Sequence, residues 1–148
     1  MTAIQVAVPT AKKLNEYLAE WLGTPAGSEQ TLVRLVEGGL PIKVINHLLG
    51  RGLSRNEVFD LIIPLRTWKH RKSRHQALSK EESERAVRAA RILALAEAVM
   101  GEKESALRWL RAPKRRFEGR APIEMLSTEP GARLVEQMLI QVDDGMYA

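Results

Sequence analysis

Few side chains in this 148-residue chain could do chemistry, and they favour binding over catalysis. The three histidines are His47, His70 and His75. His70 and His75 stand five apart inside a basic stretch, off the spacing of paired metal ligands and with no acid nearby in sequence. The chain has no cysteine, so it offers neither a thiolate metal site nor a disulfide framework. Gly38-Gly39 and Gly50-Arg51-Gly52 read as turns, not as a Walker or Rossmann phosphate loop. Asp143-Asp144 reads as a solvated acidic pair at a helix end. No catalytic residue, metal or cofactor is assigned, and the expectation is a protein that is not an enzyme.

The sequence does supply cations in one region and an apolar-aromatic end in another. Residues 51–80 hold eight Lys and Arg against two acids, and residues 121–148 hold one against five. A basic middle points to a polyanion, and an acidic end points to a different partner. The densest run is Arg66, Thr67, Lys69, His70, Arg71, Lys72 and Arg74, with no acid among them. On a helix, such cations neutralise phosphates, and Arg or His in its exposed N-terminal half reaches base edges. Trp68 faces inward and fixes that helix to the core. Contact with a protein partner, or plain solvation, would also account for the run.

A second cluster, Arg108, Arg111, Lys114, Arg115, Arg116 and Arg120, surrounds the loop from Pro113 to Gly119. DNA backbone, an acidic protein surface and solvent all suit it. Trp109 and Phe117 read as core. The end Gly145-Met146-Tyr147-Ala148 is apolar where free chain ends are usually polar. It reads as a segment made for insertion, with Tyr147 as a flat anchor.

Helices must position these groups, since no segment alternates as a half-buried strand does, apart from a weak Ile4-Gln5-Val6. An amphipathic helix spans about 10–22, with Leu14, Leu18 and Leu22 in line, and the arm containing it leaves disorder and dimer strapping open. Thr31 to Val36 suits a short helix or an extended stretch. Pro41 suits the first turn of a helix ended by Gly50 and Gly52. Ser54-Arg55-Asn56-Glu57 and Ser79-Lys80-Glu81-Glu82 are capping boxes that open two further helices. The first buries Val58, Leu61 and Ile62 and stops at Pro64. A short basic helix then runs from 65 to about 74, giving a helix-turn-helix pattern.

The second capped helix runs from 79 to about Met100 and closes at Gly101. From Ile92 to Met100 only Glu97 is polar, so the helix is buried on most sides. Ala86, Ala89, Leu93, Ala96 and Met100 form a stripe of mostly small residues that suits either the core of one chain or a dimer seam. Helices at about 105–111, 122–126 and from 128 or 129 onward follow. The last carries the stripe Val135, Met138, Leu139 and Val142, with Pro130 in its first turn.

From about Leu40 onward the chain resembles the Xre/MbcA/ParS antitoxins. The marks are Trp109-Leu110, Pro113, Gly119 to Pro122, Met125-Leu126, Thr128-Glu129-Pro130-Gly131 and Gly145 to Ala148, together with Arg66-Thr67-Trp68 and Arg71-Lys72 in the basic helix. One departure is the turn Leu61-Ile62-Ile63-Pro64, which lacks the family's glycine and its left-handed backbone position. The resemblance implies an all-α fold: an Xre-like helix-turn-helix domain, a central dimerisation helix and a small helical toxin-binding domain. On this chain it divides into an arm at 1–28, the helix-turn-helix at 29–78, the dimerisation helix at 79–101 and the toxin-binding domain at 102–148.

The function so implied is that of an antitoxin in a type II toxin–antitoxin pair. It would neutralise an NAD-consuming RES-type toxin by blocking the active site with its tail: Val142, Gly145, Met146, Tyr147 and Ala148. It would also autoregulate its operon as a homodimer on operator DNA. A stand-alone helix-turn-helix regulator without a toxin is the other reading. No apolar run approaches the ~20 residues of a membrane span, and the start lacks a signal peptide's pattern. The expected location is the cytoplasm, with no membrane partner.

Overall fold

The structure is a computed structural model that describes residues 11–143 and 145. Helices joined by turns and loops make up those residues, with no strand among them. The order is α1 (Ala11–Leu22), α2 (Glu29–Gly38), α3 (Lys43–Arg51), α4 (Arg55–Leu61), α5 (Leu65–Ser73), α6 (Lys80–Met100), α7 (Lys103–Arg111) and α8 (Glu129–Asp143). Two 3-10 segments, Arg115–Phe117 and Pro122–Ser127, lie between α7 and α8.

Local chemistry sets most of the helix starts. Ser28 Oγ accepts the amide of Thr31 at 3.1 Å, so Thr31–Val36 is helical. Both expected capping boxes form. Ser54 Oγ accepts the Glu57 amide at 3.1 Å while Glu57 accepts the Ser54 amide at 2.8 Å. Ser79 and Glu82 repeat the pattern at 3.1 and 2.8 Å. Gly101, with φ 91°, closes α6. Pro41 stands just before α3, in a tight turn where its carbonyl accepts the Val44 amide at 3.0 Å. The segment after Ala121 forms a 3-10 helix. It is six residues long and begins with a three-residue bond from the Glu124 amide to the Ala121 carbonyl.

The 21-residue α6 is the axis of the fold. Helices α1, α2, α7 and α8 all pack on it, α3 lies against α1 and α4, and the 3-10 helix Pro122–Ser127 wedges between α4, α7 and α8. This packing corrects two expectations. Within the segment read as an arm, α1 is part of the core: Leu18, Trp21 and Leu22 are buried, with Trp21 fully enclosed, while residues 1–10 lie outside the described ones. Its indole N–H donates to Glu97 Oε1 at 2.9 Å, tying α1 to a buried acid on α6.

The stripe read as a dimer seam is also interior. Ala86, Ala89, Leu93 and Ala96 are each at most 1% exposed, and Met100 is half-buried against the same core. Small side chains on α6 let four helices of its own chain approach closely, and that is what the all-round apolar pattern encoded. The face of α6 that stays open is a different one. Glu84, Val87, Arg88 and Arg91 line a groove of about 720 Å³ between α2 and α8. Arg91 pairs with Glu29 across one bank and Arg88 with Glu129 across the other.

Candidate nucleic-acid interface and C-terminal surface

Helices α4 and α5 meet at the glycine-free turn. The turn forms without a left-handed residue: Ile62 sits at φ −117°, Pro64 at φ −60°, and neither Ile62 nor Ile63 has a positive φ. The Ile62 and Ile63 amides both reach the Val58 carbonyl, at 2.9 and 3.3 Å. Arg85 on α6 donates through Nε to the Ile62 carbonyl at 2.8 Å. A long-range arginine thus satisfies a carbonyl at the helix end, where glycine-containing turns use a backbone amide. Arg85 was not among the residues singled out from sequence, because a bond spanning 23 positions leaves no local signature.

On α5 the inner face is Trp68, buried as expected and tilted against the Phe59 ring at 5.4 Å between centroids. Its Nε1 is buried without a hydrogen-bond partner among the described residues. The Lys72 ammonium lies 4.4 Å above the same ring and covers it from outside. Arg66, Lys69, His70, Ser73 and Arg74 are exposed and Thr67 is half-buried. Arg66, Lys69, His70 and Ser73 follow helical steps of three, one and three, so they make one outward stripe. Arg66, Lys69 and Arg74 make no ion pair among the described residues.

Arg71 departs from its expected place in that set. Its guanidinium forms a two-pronged pair with Glu82, at 2.7 and 3.0 Å, and reaches Gln76 at 3.5 Å. Glu82 is 5% exposed. Burial pushes its carboxyl up, but the hydrogen bonds from Arg71 and Ser79 and the Arg71 charge outweigh that and hold it below the ordinary carboxylate value. Arg71 therefore anchors α5 to the start of α6. Its spacing within the basic run could not reveal this, since the partner is eleven residues away.

The same device recurs at α4. Arg111, at the end of α7, donates to both Glu57 oxygens at 2.8 Å and to the Gly52 carbonyl at 2.8 Å. Glu57 too sits below its ordinary value: burial raises it, but the Arg111 and Ser54 hydrogen bonds and the Arg111 charge together outweigh that. Arg111 belongs to the second basic cluster, and its exposed guanidinium is already paired with Glu57 of its own chain. Lys114 lies 4.6 Å over the Trp109 ring, and burial lowers its ammonium pKa. Arg115 is exposed, Arg116 reaches Gln141 at 2.7 Å, and Arg120 reaches the Glu124 carbonyl at 3.3 Å. Phe117 is buried, as its reading as core requires, whereas Trp109 is half-buried.

The C-terminal motif residues are explained by packing. Thr128 Oγ1 accepts the Gly131 amide at 3.1 Å and opens α8. A Cβ at Gly131 would stand 2.0 Å from the Met125 carbonyl oxygen, so only glycine lets α8 cross the preceding segment here. Val135, Met138 and Leu139 are buried in the home domain, and Val142 is half-buried at its margin. Gly145 is exposed at φ 78° and its amide bonds the Val142 carbonyl at 3.0 Å, turning the chain off the helix. Met146, Tyr147 and Ala148 lie outside the described residues. Leu134, 47% exposed on α8, is an outward apolar residue that the sequence reading passed over. The signal was there: it falls one position before Val135, out of phase with the stripe at 135, 138, 139 and 142.

No group of three or more His, Asp or Glu is placed to hold a metal among the described residues. No described helix is long and apolar enough to cross a membrane.

Two domain families match, in sequence order. Residues 31–91 match the Antitoxin Xre-like helix-turn-helix domain. Residues 95–145 match the Antitoxin Xre/MbcA/ParS C-terminal toxin-binding domain. The chain is 49% identical over 98 residues to an Antitoxin Xre of Pseudomonas putida, a match covering 66% of this chain and 62% of that relative. An Antitoxin Xre of Yersinia enterocolitica is 27% identical over 143 residues, covering 95% of this chain and 97% of the relative. One of Photorhabdus laumondii is 25% identical over 148 residues, covering 98% and 100%. With the helix-turn-helix match falling on the α4–α5 unit and the toxin-binding match on α7 and α8, the chain belongs to the Xre/MbcA/ParS-type antitoxins.

Proposed function

We propose that this chain is the antitoxin of a toxin–antitoxin pair and binds DNA through the outward stripe of α5. The observation that carries the reading is the succession of the two domain matches on a single helical fold. Its basic helix and its acidic C-terminal region suit two different partners. The role is one of binding and regulation, exercised in the cytoplasm.

The partner in this reading is a RES-type toxin that consumes NAD. Val142 and Gly145 lead the tail off α8, and Met146, Tyr147 and Ala148 enter the toxin's active-site cleft. Arg66, Thr67, Lys69, His70 and Arg74 contact operator DNA of the chain's own operon, so that the antitoxin represses its own synthesis. Two copies on a two-fold axis read half-sites about one helical turn apart. The dimer contact lies on a face other than the buried stripe of Ala86 to Ala96.

Co-expression with the adjacent small open reading frame tests the proposal, scoring growth and cellular NAD. The full chain restores both, and a chain lacking residues 145–148 restores neither while keeping DNA binding. Rescue by the truncated chain overturns the tail mechanism. Failure of the full chain to rescue or to co-purify with that product returns the protein to the class of stand-alone regulators.

A further inference from the structure

We propose that the basic loop between α7 and the 3-10 helix Pro122–Ser127 is a second contact to the DNA backbone, outside the helix-turn-helix. The inference rests on the DNA-binding reading above and adds a surface to it.

Placement carries the argument. The loop begins and ends beside α4. At its start, Arg111 is bonded to Glu57 and to the Gly52 carbonyl, at the N-terminal end of α4. At its finish, the 3-10 helix Pro122–Ser127 packs against α4. In a helix-turn-helix the second helix enters the groove and the first crosses the backbone. A segment pinned at both ends to α4 therefore flanks the path of the phosphates. Arg55, exposed in the first turn of α4, lies 5.1 Å over the Phe59 ring, which packs on Trp68 of α5.

The loop is built to hold its cations in place. The Lys114 amide bonds the Arg120 carbonyl at 3.0 Å, and the Gly119 amide bonds the Lys114 carbonyl at 3.0 Å, closing a ring of seven residues. Glu118 takes the left-handed conformation, φ 56°, that lets the chain reverse. Phe117 is buried and serves as the peg. Arg115, Arg116 and Arg120 project from this frame, all three exposed. Arg116 is steadied by Gln141 on α8. Preorganised cations give up little conformational freedom on meeting a polyanion. A toxin-facing role is the competing use, but the loop is fixed at its two ends to the DNA-reading unit.

The measurement is fluorescence anisotropy of a labelled mixed-sequence DNA duplex against salt, since phosphate contacts do not depend on sequence. Full-length Arg115→Gln and the triple variant Arg115→Gln/Arg116→Gln/Arg120→Gln are compared with wild type. Lys12→Gln on α1 serves as the control for a lost surface charge. Each phosphate contact removed makes the slope of log K against log salt shallower by about 0.9. The expected slopes are shallower by about 0.9 for the single variant and by up to about 2.7 for the triple. The control slope stays at the wild-type value. Circular dichroism and Tm confirm that the variants are folded. Wild-type slopes in both loop variants overturn the inference while leaving α5 binding in place. The same result combined with lost toxin capture assigns the loop to the toxin instead. A wild-type chain that does not bind the duplex at any salt overturns this inference and the DNA reading together.

Discussion

Arg85 on α6 holds the carbonyl of Ile62 at 2.8 Å, so the central helix grips the turn that sets the angle of α5. Arg85→Ala leaves that carbonyl without its side-chain donor, at a cost to stability of about 1–3 kcal/mol. The larger expected effect is on DNA affinity, because α5 pivots on this turn. Urea unfolding and anisotropy on the same protein separate the two. A loss of stability with unchanged affinity would show that the turn keeps its shape without Arg85.

Acid should destabilise the fold through Glu57 and Glu82. Both carboxyls lie below their ordinary value of 4.5, because hydrogen bonds and the charges of Arg111 and Arg71 outweigh burial. A carboxyl whose native pKa is depressed contributes fully above its unfolded value and loses that contribution as pH falls through the lower native value. The urea midpoint should therefore hold steady down to about pH 4.5 and drop below it. Glu57→Gln/Glu82→Gln should lower the midpoint at neutral pH and flatten the acid limb. An acid limb as steep as wild type's in the double variant would place the sensitivity elsewhere.

Arg71 and Lys69 are two residues apart on α5, yet their substitutions should have opposite signatures. Lys69→Gln removes an exposed cation and should make the salt slope of DNA binding shallower by about 0.9 with little change in Tm. Arg71→Gln breaks a pair with a carboxylate that is 5% exposed and should cost about 1–3 kcal/mol of stability. Thermal melts and salt titrations of both variants check the division. Equal slopes and equal melts would show that the Arg71–Glu82 pair opens to release Arg71 to the phosphates.

At Gly131 the added methyl of alanine would meet the Met125 carbonyl at 2.0 Å. Elsewhere in a helix, Gly→Ala stabilises by about 0.4–1 kcal/mol. Here overpacking reverses the sign, and Gly131→Ala should destabilise by about 1–3 kcal/mol. Differential scanning calorimetry reads this directly. A raised Tm would mean that α8 can slide away from the 3-10 helix at no cost.

What could be read from the sequence was mainly local. Ser54 with Glu57, Ser79 with Glu82, and the stop at Gly101 each depend on residues within one turn, and the structure has all three. Trp68 as the inward anchor of α5 and the stripe at Val135, Met138 and Leu139 followed from helical periodicity. Periodicity cannot name the partner of an apolar face, however. The stripe of Ala86 to Ala96 therefore served equally as a dimer seam or a core, and the arm containing α1 as disorder or a dimer strap. Trp21 meeting Glu97 across 76 positions placed α1 on the core, and the packing of four helices around α6 buried the stripe. The cations were harder still. Arg66, Lys69, Arg71 and Arg111 look alike in sequence, and only the distant acids Glu82 and Glu57 set two of them apart by pairing their charges.

The two capping-box glutamates also bear on how freely this protein can be recombined. Glu57 and Glu82 each complete the start of their own helix and receive an arginine from another element. Arg71 with Glu82, and Arg85 at the turn, stay within the unit matched at 31–91, whereas Arg111 with Glu57 ties that unit to the segment that follows it. A chimera joining this helix-turn-helix to the C-terminal half of another antitoxin inherits Glu57 without a guarantee of Arg111. Grafting specificity between relatives thus calls for moving Arg111 along with Glu57, or for keeping the junction beyond α7.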